Sequence, residues 1–178
     1  MKAIELESER LFFRPLSQKH ISLTYVNWLN DIEVNKYLES GGNYTIQLLA
    51  DFLKEQEQKD ILFWAIHLKD SNKHIGNIKI DPINFELNSG EYGILMGDKT
   101  NWGKGYAKEA SLAIINYCFN EVKLSRVTLG VIEENINAVM LYKKIGFAID
   151  EVKTNVGIYN YKLSNSLRMS LHVKNYKQ

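Results

Sequence analysis

The 178-residue chain is poor in cysteine, in proline, in long apolar runs and in net charge. Cys118 is its one cysteine, so an intramolecular disulfide is impossible. A structural zinc site built on cysteines is excluded with it. No stretch approaches the ~18 apolar residues that span a membrane. Two prolines and 11 glycines leave little room for flexible linkers. Lys plus Arg is 22 and Asp plus Glu is 21, a net charge of +1. That balance gives no whole-molecule field for nucleic acid or an anionic membrane, and no aromatic-plus-basic module signature supports a nucleic-acid partner. The start, Met1 to Arg10, carries acids and lacks an apolar run. It reads as neither a secretory signal nor a transit peptide, so a soluble protein of a reducing cytoplasm is expected.

What is present is core material. A composition 45% hydrophobic and 11% aromatic argues for a packed domain over disorder. The length suits a single domain over residues 1–178. Residues 10–15 read as a strand, and two short helical patterns follow within 18–39. Thr45 is a candidate N-cap for a helix to about Lys59. Leu62, Trp64, Ile66 and Leu68 make one apolar strand face, and strands at about 74–82 and 89–97 complete an antiparallel meander. A helical period then spans 104–120, with Ala107, Ala110, Ile114 and Cys118 on one stripe. Strands at 126–132, 147–153 and about 167–173 flank a helix at 136–145. A meander followed by helix-crossover strands implies a mixed α/β sheet.

Two local patterns carry chemistry. The first is the strand Glu91–Gly97 followed by Asn101-Trp102-Gly103-Lys104-Gly105-Tyr106-Ala107 and a helix. Glycines let backbone N–H groups approach an anion, and the helix dipole adds positive charge. A phosphate or pyrophosphate is the natural ligand; an ordinary loop before a helix is the other reading. A P-loop is excluded, because five residues separate Gly97 from Gly103 and Gly105 replaces the metal-binding Ser/Thr. A dinucleotide fingerprint is excluded, because Lys108 holds the third small position.

The second is Val131-Ile132-Glu133-Glu134-Asn135-Ile136-Asn137-Ala138-Val139-Met140-Leu141-Tyr142-Lys143-Lys144-Ile145-Gly146-Phe147. Asn135 suits an N-cap and Gly146 a C-cap. Here the sequence resembles the GNAT acetyltransferases. Their second signature matches at Val131, Asn135, Ala138, Leu141, Tyr142, Lys144, Gly146 and Phe147. Their first matches at Gly103 and Gly105, while Thr100 holds the usual Gln/Arg place. Trp102 to Ala107 with Glu109 and Ala110, and the opening Glu9-Arg10-Leu11-x-x-Arg14-Pro15-Leu16, look like the ribosomal-protein N-acetyltransferase branch (RimJ/RimL type). Trp28-Leu29-Asn30-Asp31-x-Glu33-Val34 and Tyr37-Leu38 resemble relatives that acetylate nucleotide-linked amino sugars.

The resemblance implies a mixed, mostly antiparallel sheet of about seven strands flanked by helices. It implies acetyl-CoA as co-substrate, with a primary amine attacking the thioester directly in a ternary complex. It puts the CoA pyrophosphate on the amides of Trp102, Gly103, Lys104, Gly105, Tyr106 and Ala107. The pantetheine then lies along Leu95 and Met96, and Asn135 contacts that arm. Tyr142 is the candidate acid for the departing thiolate. Glu91 is the first candidate base and Asp81 the second, while Trp28 and Asp31 line the acceptor side. A lysine amine is only about 0.04% neutral at pH 7 and needs a base, whereas an α-amine needs little help. Both acceptor classes stay open: a nucleotide-linked amino sugar or other small amine, or a protein N-terminus. Lys162, Arg168, Lys174 and Lys177 make the last residues basic, which suits a diphosphate or RNA equally. No metal is implied, because the four histidines lack ligand spacing. A non-catalytic acetyl-CoA-binding module is the competing class. Either a monomer or a homodimer fits.

Overall fold

The computed structural model describes residues 1–38 and 42–176. In chain order the strands and α-helices are β1 (Leu6–Glu7), β2 (Leu11–Pro15), α1 (Leu23–Asn30), α2 (Ile32–Asn35), α3 (Ile46–Gln58), β3 (Leu62–Leu68), β4 (His74–Asn84) and β5 (Ser89–Met96). There follow α4 (Tyr106–Asn120), β6 (Arg126–Ile132), α5 (Ile136–Ile145), β7 (Ala148–Tyr159) and β8 (Lys162–His172). The strands hydrogen-bond in the order β1-β2-β3-β4-β5-β6-β8-β7. Pairs β1–β2, β2–β3, β3–β4, β6–β8 and β7–β8 are antiparallel, and β5–β6 is parallel. The mixed, mostly antiparallel sheet is as expected, with eight strands instead of about seven. The addition is β1, two residues long and too short to show a period.

The chain groups into two compact units. The first holds residues 1–81 and 93–113. Its sheet core is the β3 face read from the sequence: Leu62, Trp64 and Ile66 are fully buried. On the other face of β3, that of Ala65, lie α1 and α3, with Tyr25, Trp28, Leu49 and Leu53 in one cluster with Ala65. Their caps are local. The Ser22 side chain accepts from Tyr25 N–H at 3.1 Å, and Thr45, as expected, accepts from Leu48 N–H at 3.2 Å. Each satisfies a donor that the helix cannot.

The second unit holds residues 82–92 and 114 onward. Here β6 and β8 run in continuous register from Arg126 opposite His172 to Ile132 opposite Ser166. Their inward residues Val127, Leu129, Leu167, Met169 and Leu171 are buried. The helix α5 ends at Gly146, which takes φ 113°, open to glycine at little cost. Its N–H and that of Phe147 both donate to the Tyr142 carbonyl, at 3.1 and 3.0 Å. That turns the chain sharply into β7. The last hairpin is longer than its apolar pattern, with β7 running to Tyr159 and β8 starting at Lys162.

Candidate active site

The glycine turn lies in the first unit. Gly103 and Gly105 take φ +76° and +83°, and a methyl on Gly103 would meet nothing within 4 Å. The chain therefore turns left-handed and stays open on that side. This is why α4 starts at Tyr106 and not at 104. Glu109 N–H closes the first turn onto Gly105 C=O at 3.1 Å. Amides before Glu109 have no carbonyl one turn earlier in the helix to bond. Left-handed glycines followed by such amides fit a phosphate or pyrophosphate.

The turn is braced from both sides. Asp98, nearly buried, accepts from Thr100 N–H at 3.0 Å, Thr100 Oγ1 at 2.7 Å and Asn101 Nδ2 at 2.9 Å. Lys73 Nζ lies 2.6 Å from the same carboxylate. Burial pushes Asp98 up, but Lys73 and the Thr100 and Asn101 bonds outweigh it and hold the carboxyl at about 2. So Thr100, which stands where the family usually has Gln/Arg, turns its hydroxyl to Asp98. Lys104 Nζ donates to Asn101 Oδ1 at 3.0 Å. The Trp102 indole N–H donates to the Met96 carbonyl at 2.8 Å, which ties the turn to the end of β5. Leu95 is partly buried against the helical cluster, and its carbonyl faces Gly76.

Two motif pieces far apart in sequence meet here. Arg10 Nε and backbone N–H donate to Glu109 at 2.6 and 2.7 Å, and Arg10 Nη1 donates to the Lys104 carbonyl at 3.1 Å. The Arg10 guanidinium stacks on the Tyr106 ring, 4.4 Å from its centre. Burial raises Glu109, but the Arg10 amide, the Ser8 hydroxyl and the guanidinium outweigh it and hold the carboxyl below its ordinary value.

The residues expected on the acceptor side have other work as well. Trp28 is a core residue: it is 7% exposed, with the Tyr25 ring tilted against it and the His74 ring edge-on. That burial is the packing role its helical position suggests beside the expected place on the acceptor side. Asp31 caps α2 by accepting from Glu33 N–H at 2.9 Å. Asp31 and Glu33 also converge on one ammonium, Lys99 Nζ, at 2.6 and 2.5 Å. The Lys99 bond lowers the Asp31 carboxyl. Asp81 faces Lys79 Nζ at 3.5 Å.

His20, His67 and His74, which show no spacing signal, come together with ring centroids 5.3, 5.3 and 5.1 Å apart. Burial pushes His67 and His74 down to about 4, so both are neutral at pH 7. Among the described residues no group of His, Cys, Asp or Glu is placed to hold a metal.

The second unit holds Tyr142, Glu91 and Asn135. Tyr142 packs edge-on against Tyr92, centroids 5.8 Å apart, and against Phe147 at 5.9 Å. Burial pushes its phenol up to about 12, so it keeps its proton. Asn135 sits at the N-cap of α5, yet its side chain makes no capping hydrogen bond. That leaves the capping half of its expected role unfilled. Glu91 is bonded by Arg168 through both oxygens, each at 2.7 Å, and accepts from Thr128 Oγ1 at 2.6 Å. In the sequence Arg168 is only one charge of the basic end, and no signal joins it to Glu91, 77 residues away. Of that basic end, Lys177 lies outside the described residues. Burial pushes the Cys118 thiol up to about 12, so it offers no thiolate for an acyl intermediate.

The family follows from comparison. Residues 10–148 match the acetyltransferase (GNAT) domain. The chain belongs to the GNAT acetyltransferases. It is 28% identical over 149 residues to the uncharacterized N-acetyltransferase p20 of Bacillus licheniformis, covering 80% of this chain and 81% of that one. Its fold matches spermidine N-acetyltransferase of Vibrio cholerae, solved with CoA and spermine, with TM-score 0.86 at 20% identity over 95% and 99% of the two chains. It also matches ribosomal-protein-S5-alanine acetyltransferase of Vibrio fischeri, with TM-score 0.82 at 16% identity over 98% and 100%. The protein is an acetyl-CoA-dependent N-acetyltransferase. No helix among the described residues is long and apolar enough to cross a membrane.

Proposed function

We propose that the acceptor is a small cationic amine, bound at Asp31 and Glu33. One observation carries this reading: the two carboxylates already converge on an ammonium, that of Lys99, which they hold protonated above its ordinary value. The spermidine enzyme's shared fold supports it. The basic end supports a nucleotide diphosphate less than its composition does, since Arg168 is engaged by Glu91. Acylation of a protein N-terminus is the second reading, supported by the fold shared with the ribosomal-protein enzyme.

Acetyl-CoA supplies an acetyl thioester already activated toward an amine. In this reading the amides of Trp102 to Ala107 hold its pyrophosphate. A backbone N–H at Leu95 or Met96 polarises the acetyl carbonyl. Asn135, its side chain not spent on the helix, contacts the pantetheine arm. Glu91 accepts the proton shed by the amine nitrogen, directly or through a water. Tyr142 Oη gives its proton to the departing sulfur, a role suited to a phenol kept neutral by burial.

The test is thiol release from acetyl-CoA with spermidine, a nucleotide-linked amino sugar and an alanine-initiated peptide. Spermidine should turn over fastest, and Asp31→Asn with Glu33→Gln should raise its KM roughly tenfold or more, as for loss of charge-assisted contacts. Turnover of the peptide or amino sugar alone would overturn the small-cation reading.

A further inference from the structure

Glu91 lies in the last of three parallel pairs between β5 and β6, opposite Thr128. Two strands away, on β8, stands Arg168, opposite Gly130 of β6. To reach Glu91 its guanidinium crosses β6 at Gly130, where no side chain stands in the way. A Cβ there would lie 2.9 Å from Arg168 Nη1. The result is a two-point fork, Nη1 to Oε1 and Nη2 to Oε2, with Thr128 Oγ1 as a third donor. Thus β5, β6 and β8 each contribute a side chain, or the lack of one, to a single carboxylate. The arrangement is partly shielded, with Arg168 32% and Glu91 29% exposed.

We propose that Arg168, passing through the gap at Gly130, is the positioning residue for Glu91. It fixes the carboxylate's orientation and its protonation state during amine acetylation. This rests on the reading of Glu91 as the base. A bidentate guanidinium does two things for such a group. It restricts rotation, so one lone-pair direction is presented repeatedly. A paired guanidinium also favours the ionised form of a carboxylate by charge attraction. Glu151 and Asp150, both acidic and on β7, also act on Arg168 and help keep the guanidinium charged.

The test combines a titration with a rate profile. The Glu91 carboxyl is followed by carbon NMR on ¹³C-glutamate protein, its signal assigned with Glu91→Gln. In Arg168→Met its midpoint should rise by about 1–3 pH units. The acid limb of kcat/KM, measured with acetyl-CoA and spermidine, should rise with it. Arg168→Lys keeps the charge and loses the fork, so it should shift the midpoint less and still lower kcat. Gly130→Ala sets a methyl 2.9 Å from the flexible end of Arg168, which can give way, so it should move the midpoint less than Arg168→Met. Thermal melts of each variant separate these effects from lost folding. An unmoved carboxyl midpoint in a folded Arg168→Met protein overturns the inference about Arg168 alone. A shifted midpoint with an unmoved acid limb, or full activity in Glu91→Gln, overturns the base reading on which it rests.

Discussion

The indole of Trp28 lies against the backbone of Gly97, so close that a Cβ on Gly97 would sit 2.1 Å from indole Cδ2. Gly97 follows β5 directly, and its N–H donates to the Ile75 carbonyl at 3.0 Å. Its φ is not left-handed, so the requirement for glycine here is room and not backbone freedom.

That contact predicts a steric cost. Gly97→Ala should destabilise the protein by about 1–3 kcal/mol, the usual scale of overpacking. For a chain of this size the melting temperature should fall by several degrees. Trp28→Leu removes the ring that the methyl strikes. The double variant should therefore recover part of the loss, a coupling that a double-mutant cycle on melting data measures.

Tyr142→Phe should separate binding from chemistry. It removes one hydroxyl and keeps the ring that packs on Tyr92 and Phe147. Affinity for acetyl-CoA by calorimetry should be unchanged, while kcat falls about 10²–10⁴-fold, as for loss of a general acid. With its phenol raised to about 12 by burial, the wild-type rate should show no alkaline limb from Tyr142 near pH 10. Full activity in the phenylalanine variant would remove Tyr142 from the mechanism.

The histidine trio predicts a pH-dependent stability. Unfolded histidines bind protons below about pH 6.5. In the fold, burial holds His67 and His74 neutral down to about 4. Between those values the unfolded chain binds more protons, so stability falls as pH drops, by about 1.4 kcal/mol per pH unit for each proton. The charged groups around His20 are Arg14, Lys19 and Glu57, and the two cations reinforce the effect. Chemical denaturation from pH 7 to 4 should show the slope, and His67→Asn should reduce it by about one proton. A flat profile in wild type would refute the linkage.

Much of the fold was legible because its signals are local. Thr45 caps α3, β6 runs from Arg126 to Ile132, and α5 runs from Ile136 to Ile145, all as read. Periodicity and capping need only neighbours in sequence. The elements read short were those with no apolar period of their own. Strand β7 is mostly exposed over 12 residues and exists because β8 pairs with it. The same division holds for the site. The turn at Gly103 and Gly105 and the motif around Tyr142 are contiguous. The Arg168 fork on Glu91 and the histidine trio are assembled from separate elements, and no spacing in the chain encodes them. Asn135 illustrates a third case, where position was legible and use was not: the residue stands at the cap and its side chain bonds nothing there.

The bond from the Trp102 indole to the Met96 carbonyl has an optical consequence. The chain has three tryptophans. Trp64 is fully buried and Trp28 is 7% exposed, whereas Trp102 is 42% exposed. Collisional quenching by acrylamide should therefore report chiefly on one ring, at the mouth of the glycine turn. If the pantetheine lies along Met96 as proposed, one of its amides would compete for the carbonyl that this ring holds. Saturating CoA should thus change the quenching constant of wild type and leave that of Trp102→Phe unmoved. The enzyme then carries its own fluorophore for cofactor occupancy, readable before any acceptor amine is known.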